Sequence, residues 1–209
     1  MRLLVIDTAT QALSVALLEN DAPVARFHDI VGRGHAEALL PVIASLPDGG
    51  RADIIAVDVG PGSFTGVRIG IAAARALGLA WSAPVVGYQT TTLIAAMAAK
   101  RHDRSAPIAV TITGGHGELF WQRFRADGLT PIGPVASTPI AQLARDLDDM
   151  TFYGAGAEAL VTARGSGEAI SLYPDAADYP LIAGLQSLPP TPVYGRGADA
   201  MTMEQRATA

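Results

Sequence analysis

Hydrophobic and polar positions divide the chain into segments of different period. Leu3 to Ile6, Ser14 to Leu18 and Val24 to His28 are aliphatic stretches separated by polar or Pro-containing breaks, and they predict successive strands of a meander. At His35-Ala36-Glu37-Ala38-Leu39-Leu40-Pro41-Val42-Ile43 the period changes, with Ala36, Leu39, Leu40 and Ile43 at helical spacing. Pro41 removes an interior hydrogen bond, which predicts either a kink or a helix that starts late enough to hold Pro41 in its first turn. Asp53 to Val59 is an aliphatic run with Asp58 embedded, a strand that feeds the turn Gly60-Pro61-Gly62. Beyond it, Gly66 to Trp81 reads as a helix in which Gly66, Gly70, Ala74 and Gly78 fall at successive i+4 positions. Helical glycine costs about 1 kcal/mol relative to alanine. A stripe of this kind therefore implies close packing of another backbone, on the lobe's own sheet or on a partner.

The Ala-rich helix Thr91 to Ala99 is followed by the polar run Arg101-His102-Asp103-Arg104-Ser105, the best linker candidate. Ile108 to Ile112 and Glu118 to Phe124 predict a hairpin around Gly114-Gly115-His116-Gly117, with Phe120, Trp121 and Phe124 as half-buried sheet residues. Thr138-Pro139 has the form of an N-cap and first-turn proline opening a helix through Leu147. Thr151 to Tyr153 is a short strand into Gly154-Ala155-Gly156. The expected organisation is a first lobe over 1–100, a smaller second lobe over 101–188, and a Pro-rich segment with a mobile tail over 189–209. Strands first and helices after in each half is the trace a duplicated two-lobe fold leaves.

Composition narrows the chemistry. With 209 residues the chain can bury a real core as one domain or two small lobes. Its apolar runs are broken well before membrane-spanning length, and the start, with Asp7 after four apolar positions, does not fit a signal peptide. A cytoplasmic protein is expected. No cysteine is present, so disulfide, thiolate nucleophile and thiolate metal site are excluded. A formal charge of −5 argues against a large footprint for phosphates.

Gly60-Pro61-Gly62-Ser63-Phe64-Thr65-Gly66-Val67-Arg68 enters a helix, as anion-binding loops do. It fits neither the P-loop, because the Gly spacing differs and no Lys-Ser/Thr pair follows, nor the dinucleotide fingerprint, which wants glycine where Thr65 stands. Nor is Ser63 a nucleophile elbow, since Pro61 and Thr65 occupy the two glycine positions. The loop reads as a shaped turn with Ser63 or Thr65 capping the helix. A metal site needs a second ligand one turn from His35, and that position is Leu39. His35 accordingly reads as a capping or surface residue. By these residues alone the chain is a two-lobed α/β protein with a degenerate phosphate loop, no metal set and no recognisable nucleophile.

Gly60 to Gly70 also resembles the signature loop and helix start of the TsaB (YeaZ) family. Asp7-Thr8-Ala9-Thr10 with Ser14-Val15-Ala16-Leu17, and His35-Ala36-Glu37 followed by Leu39-Leu40-Pro41, match the same family in order. Resemblance covers Met1 to about Tyr88 and thins afterwards. Thr113 to Glu118 keeps only the final Gly-Glu of a family Asp-Ala-Arg-Arg-Gly-Glu-type run, and Gly195 replaces leucine in a Pro-x-Tyr-Leu-Arg segment. The resemblance implies the actin-like and sugar-kinase-like ATPase (ASKHA) fold, with Asp7, Thr8 and Thr10 at a degenerate phosphate-loop position. It implies a non-catalytic subunit that pairs with a TsaD-like paralogue and works with a TsaE-like ATPase. TsaD then transfers the threonylcarbamoyl group to the tRNA adenosine beside the anticodon, and ATP and metal belong to the partners, with no cofactor on this chain. Carried onto this sequence, the partner face comprises His35, Leu39 and Ile43 of one helix and Val67, Gly70, Ile71, Ala74 and Gly78 of the next. Two other readings stand beside it: a stand-alone small-molecule kinase or glycoprotease-like peptidase, and a homodimeric scaffold.

Overall fold

The computed structural model describes residues 1–102 and 106–193. Two five-stranded sheets are each built to one plan. The first contains β1 (Arg2–Asp7), β2 (Ala12–Glu19), β3 (Ala22–Ile30), β4 (Ile54–Asp58) and β5 (Val85–Tyr88), in the order β3-β2-β1-β4-β5. The second contains β6 (Ile108–Thr113), β7 (Glu118–Phe124), β8 (Ala136–Pro139), β9 (Thr151–Tyr153) and β10 (Glu168–Ile170), in the order β8-β7-β6-β9-β10. In both, an antiparallel meander of three strands is extended by two strands parallel to the first. Helices occupy equivalent connections: α1 (His35–Ser45) and α2 (Phe64–Trp81) in the first lobe, α4 (Ile140–Asp146) and α5 (Ala157–Arg164) in the second, with α3 (Thr90–Arg101) between the lobes. This repeated topology is that of the ASKHA fold.

Strand burial explains why the first lobe's sequence lacks clean alternation. Leu4 and Ile6 face the outer cluster, with Leu13, Val15, Leu39, Ile43, Ile71 and Ala74, whereas Leu3 and Val5 face the inner cluster. A strand covered on both sides reads as a continuous apolar run. β3 is an edge strand and accommodates Pro23 beside a register shift at Leu17/Leu18.

The lobes exchange covering elements. Helix α3 follows β5 of the first lobe and packs on β6, β7 and β9 of the second, while the 3-10 segment Ala176–Leu181, after β10, packs on β1, β2 and β3. Both join one apolar cluster that includes Val5, Ala56, Leu93, Met97, Val110, Phe124 and Tyr179. The seam is fastened by Ala176 N–H donating to Ser14 Oγ at 2.8 Å, by the Arg26–Asp175 pair (Nη2–Oδ2 2.6 Å), and by Asp178 accepting from Lys100 and Arg101.

Of the two places expected for Pro41, the structure gives the interior one: it lies inside α1, beyond its first turn, on the exposed face where water can take the freed carbonyl. Other expectations are corrected. Thr138 is no N-cap: it pairs with Leu119 in β8, its Oγ1 accepts from Trp121 Nε1 at 2.9 Å, and α4 begins after Pro139. Phe124 is fully buried rather than half-buried. The Pro-rich stretch is not free where it is described. Leu188 bridges to Gly87, Pro190 O accepts from Arg75 Nη2, and Val193 N–H donates to Val59 O. Residues 103–105 of the linker candidate and 194–209 of the tail, including the Gly195 position, lie outside the described residues.

Candidate functional site

In sheets of this kind, ligand sites form outside the carboxyl ends of the parallel strands. Here those ends are Asp7 on β1, Asp58 on β4 and Tyr88 on β5. Asp58 is in register with Tyr88, and Ile6 with Val57 one step earlier, so the three polar side chains share one row on the inner face. Asp7 and Asp58 are fully buried and Tyr88 nearly so.

Hydrogen bonds knit this row to the glycine loop. Thr8 N–H donates to Asp58 Oδ1 at 2.8 Å, and Thr8 Oγ1, 3.3 Å from the same oxygen, lies 2.9 Å from Gly66 O. Ala9 N–H donates to Asp7 Oδ1, while Tyr88 O–H lies 3.2 Å from Asp7 Oδ2 and 3.1 Å from Ile6 O. Ser63 N–H donates to Ala9 O at 2.7 Å, and Ser63 Oγ accepts from Gly66 N–H, capping α2. Gly60-Pro61 is cis. Gly62 and Gly66 have no room for a Cβ, which would overlap the carbonyls of Ala9 and Thr8. The glycines are thus required by backbone-to-backbone contact between the two turns. Thr10 Oγ1 accepts from Ala12 N–H and closes the first turn.

Burial pushes Asp58 up from 3.8 to about 7, with hydrogen bonds from Thr8 and Gly60 opposing the rise. Burial, then the charge of Asp58, raises Asp7 well above the usual carboxylate range, and burial with the two nearby carboxylates also raises Tyr88. Two buried oxygens, Asp58 Oδ2 and Thr90 Oγ1, have no hydrogen-bond partner among the described residues.

These residues do not fit a nucleotide phosphate. Thr8 N–H, in the turn that would face an anion, is already spent on Asp58, and two buried carboxyl groups in the same row would repel a phosphate. The counterpart turns of the second lobe are also occupied: Gly156 N–H donates to Thr111 O, Gly154 N–H to Ile170 O, and Thr113 Oγ1 to Ala155 O.

Asp7, Thr8, Thr10 and the glycine loop therefore come together, joined by Asp58 and Tyr88, which the sequence reading did not assign to the site. In sequence Asp58 is an acid embedded in an aliphatic run one residue short of the turn, and only its register beside Asp7 marks it. The eight residues carried over as a partner face do not form an outer surface. His35, Leu39, Ile43, Val67, Gly70, Ile71, Ala74 and Gly78 are all buried against the lobe's own sheet. His35 Nε2 lies 3.2 Å from Ala12 O, so it is neither a surface group nor a free ligand. A Cβ on Gly70 would meet Thr8 and Val57, and one on Gly78 would meet Val85 and Ala83. Of the two readings of the small stripe, intramolecular packing accounts for it. The outward sides of the same helices are also apolar: Leu40 is 53% exposed and Leu79 86%, with Ala36, Ala44, Ala72, Ala76 and Ala80 exposed beside them. Phe64, 66% exposed, lies under the Arg68 guanidinium at 3.2 Å.

The family model described as TsaD, tRNA N6-adenosine threonylcarbamoyltransferase, matches residues 29–163. The chain is 37% identical over 132 residues to the tRNA threonylcarbamoyladenosine biosynthesis protein TsaB of Escherichia coli K12, covering 61% of this chain and 56% of that one. The alignment thus spans little more than half of that relative. YeaZ from Pseudomonas aeruginosa superposes with a TM-score of 0.76 at 28% identity, covering 92% of this chain and 99% of that one. A second structure, described as an uncharacterized protein with similarity to peptidase YEAZ from Pseudomonas aeruginosa, gives 0.76 at 29%, with 93% and 99% covered.

Proposed function

The chain belongs to the TsaB (YeaZ) branch of the family described by the tRNA N6-adenosine threonylcarbamoyltransferase model, and on that premise we propose that it is a non-catalytic dimerisation and activating subunit in tRNA threonylcarbamoyladenosine formation. It pairs with a TsaD-like paralogue, which performs the transfer to the adenosine beside the anticodon, and works with a TsaE-like ATPase in the cytoplasm. ATP and metal are held by those partners, and tRNA is reached through the complex. The observation that carries this reading is the outer apolar surface of α1 and α2, centred on Leu40 and Leu79. Exposed leucines this open are a cost to a monomer, and small neighbouring alanines allow a second pair of helices to approach closely.

A peptidase role has less support. His35 is committed to Ala12, and no group of three or more His, Cys, Asp or Glu side chains that could hold a metal is found among the described residues. Pairing of the same surface with a second copy is the competing assembly, because one helical face can be self-complementary about a twofold axis. Co-expression with the TsaD-like protein, followed by mass measurement of the purified species, separates the two. A one-to-one complex is expected from wild type and a markedly smaller fraction of it from Leu79→Arg, with the Leu79→Arg monomer still folded by circular dichroism. A wild-type chain that remains a homodimer in the presence of that partner overturns the proposal.

A further inference from the structure

Asp7 and Asp58 are two carboxyl groups in one row, both without solvent exposure, and no cation is among the groups that perturb either of them. Ser14 on β2 is paired in register with Asp7 and Tyr88 on β5 with Asp58, and the ring of Tyr179 on the 3-10 segment lies 5.3 Å from that of Tyr88. The charged residues in and beside that last segment are paired, Asp175 with Arg26 of β3 and Asp178 with Lys100 and Arg101 of α3. A buried pair of like charges with nothing opposite is untenable, so something must neutralise it. A divalent cation would need about six oxygens. Among the described residues three of the four carboxylate oxygens are already taken by Thr8, Ala9 and Tyr88, and the Gly60 amide also acts on Asp58. A proton needs neither space nor ligands.

We propose that the Asp7–Asp58 pair is a proton-held latch on the start of α2. While the pair carries a proton, Asp58 Oδ1 holds Thr8, Thr8 holds the Gly66 carbonyl, and Ala9 holds the Ser63 amide. When both carboxyl groups ionise, their repulsion and the hydration each lacks favour separation, and the two turns part together. The latch thus links an inner polar row to the outer helix without any contact between the carboxylates and solvent in the closed state. It concerns the isolated chain and does not depend on what α2 binds.

Amide hydrogen exchange on the full chain, read residue by residue by NMR, tests it. Closed, the pair binds a proton that the opened turns give up, so opening becomes easier as pH rises toward the closed-state value and then levels off. The protection factors of Thr8 and Ser63 are expected to fall on the order of tenfold per unit between about pH 5 and about pH 7. Asp58→Asn, which keeps an acceptor for Thr8 without the charge, should flatten this dependence. Asp7→Asn should weaken it and serves if the first variant does not fold. Protection that does not change with pH in wild type, or that changes equally in Asp58→Asn, overturns the latch. Recovery of protection at pH 8 on adding millimolar magnesium chloride also overturns it, since a cation would then be the neutralising partner.

Discussion

The two lobes share one strand order and differ in what they place at their strand ends. In the first, β1, β4 and β5 close on Asp7, Asp58 and Tyr88, sealed by a glycine loop that leads into an 18-residue helix. In the second, β6, β9 and β10 close on Thr113, Tyr153 and Ile170, and the equivalent helix α5 has 8 residues. A carboxyl group buried without a counter-charge destabilises the lobe that holds it, and nothing comparable is imposed on the second lobe. Among the described residues the first lobe therefore combines a buried carboxyl pair with the longest helix and the most exposed leucine. Repeated topology supplies the frame, and specialisation lies in the turns.

Single substitutions can break this contrast. The largest effect is expected from Gly66→Val, whose side chain would run into the Thr8 carbonyl; a loss of about 3 kcal/mol in urea unfolding is expected. Gly115→Ala, in the β6–β7 hairpin of the second lobe, meets nothing within 4 Å and should change stability little. Next comes pH. Asp58 is raised from 3.8 to about 7, so its protonated, stabilising form is complete below the lower value and is lost as pH rises through the higher one. Asp58 should lower stability over that window at up to about 1.4 kcal/mol per unit, and thermal scans of Asp58→Asn should show a shallower slope, the remainder coming from the buried Asp7. Leu79→Arg should weaken association with the TsaD-like partner by roughly tenfold or more while leaving the melting temperature unchanged. Glu158→Arg on α5 should leave the partner affinity as it is, which would confine the contact to the first lobe. Smallest is Arg26→Ala at the seam: its bidentate contact to Asp175 is about half exposed on the Arg side, so about 1 kcal/mol or less is expected.

Much of the first lobe was legible because its signals are local. Aliphatic runs ending in turn residues placed β1, β2, β3 and β4, and the i+4 stripe placed α2, with Phe64 and Thr65 added at its start. Ser63 and Thr65 were both legible as caps, because capping needs only a hydroxyl three residues before an amide, and the structure uses Ser63. The second lobe was read less well. β10 is three residues long, α5 has no strong apolar face, and the 3-10 segment is held by tertiary packing. Its Thr138-Pro139 signal was overridden because Thr138 is drawn into the ladder with β7 and to the Trp121 indole. The partner face was misplaced for a different reason. An apolar helix stripe looks the same whether it meets a sheet or a second protein, and here the sheet takes the small stripe while the outward leucines remain. Asp58 and Tyr88 escaped because a site formed by register between strands distant in sequence leaves no motif.

The exchange of α3 and the 3-10 segment has a consequence for the covalent chain. Each sheet is roofed by a piece of polypeptide that belongs, in sequence, to the other half. Severed between Arg101 and Ile108, the molecule would yield two fragments that are each uncovered alone, the first lacking its 3-10 roof and the second its helix. Mixed, they should restore one another. Recovery of the fold on mixing, read by circular dichroism, would show each half acting as the other's chaperone.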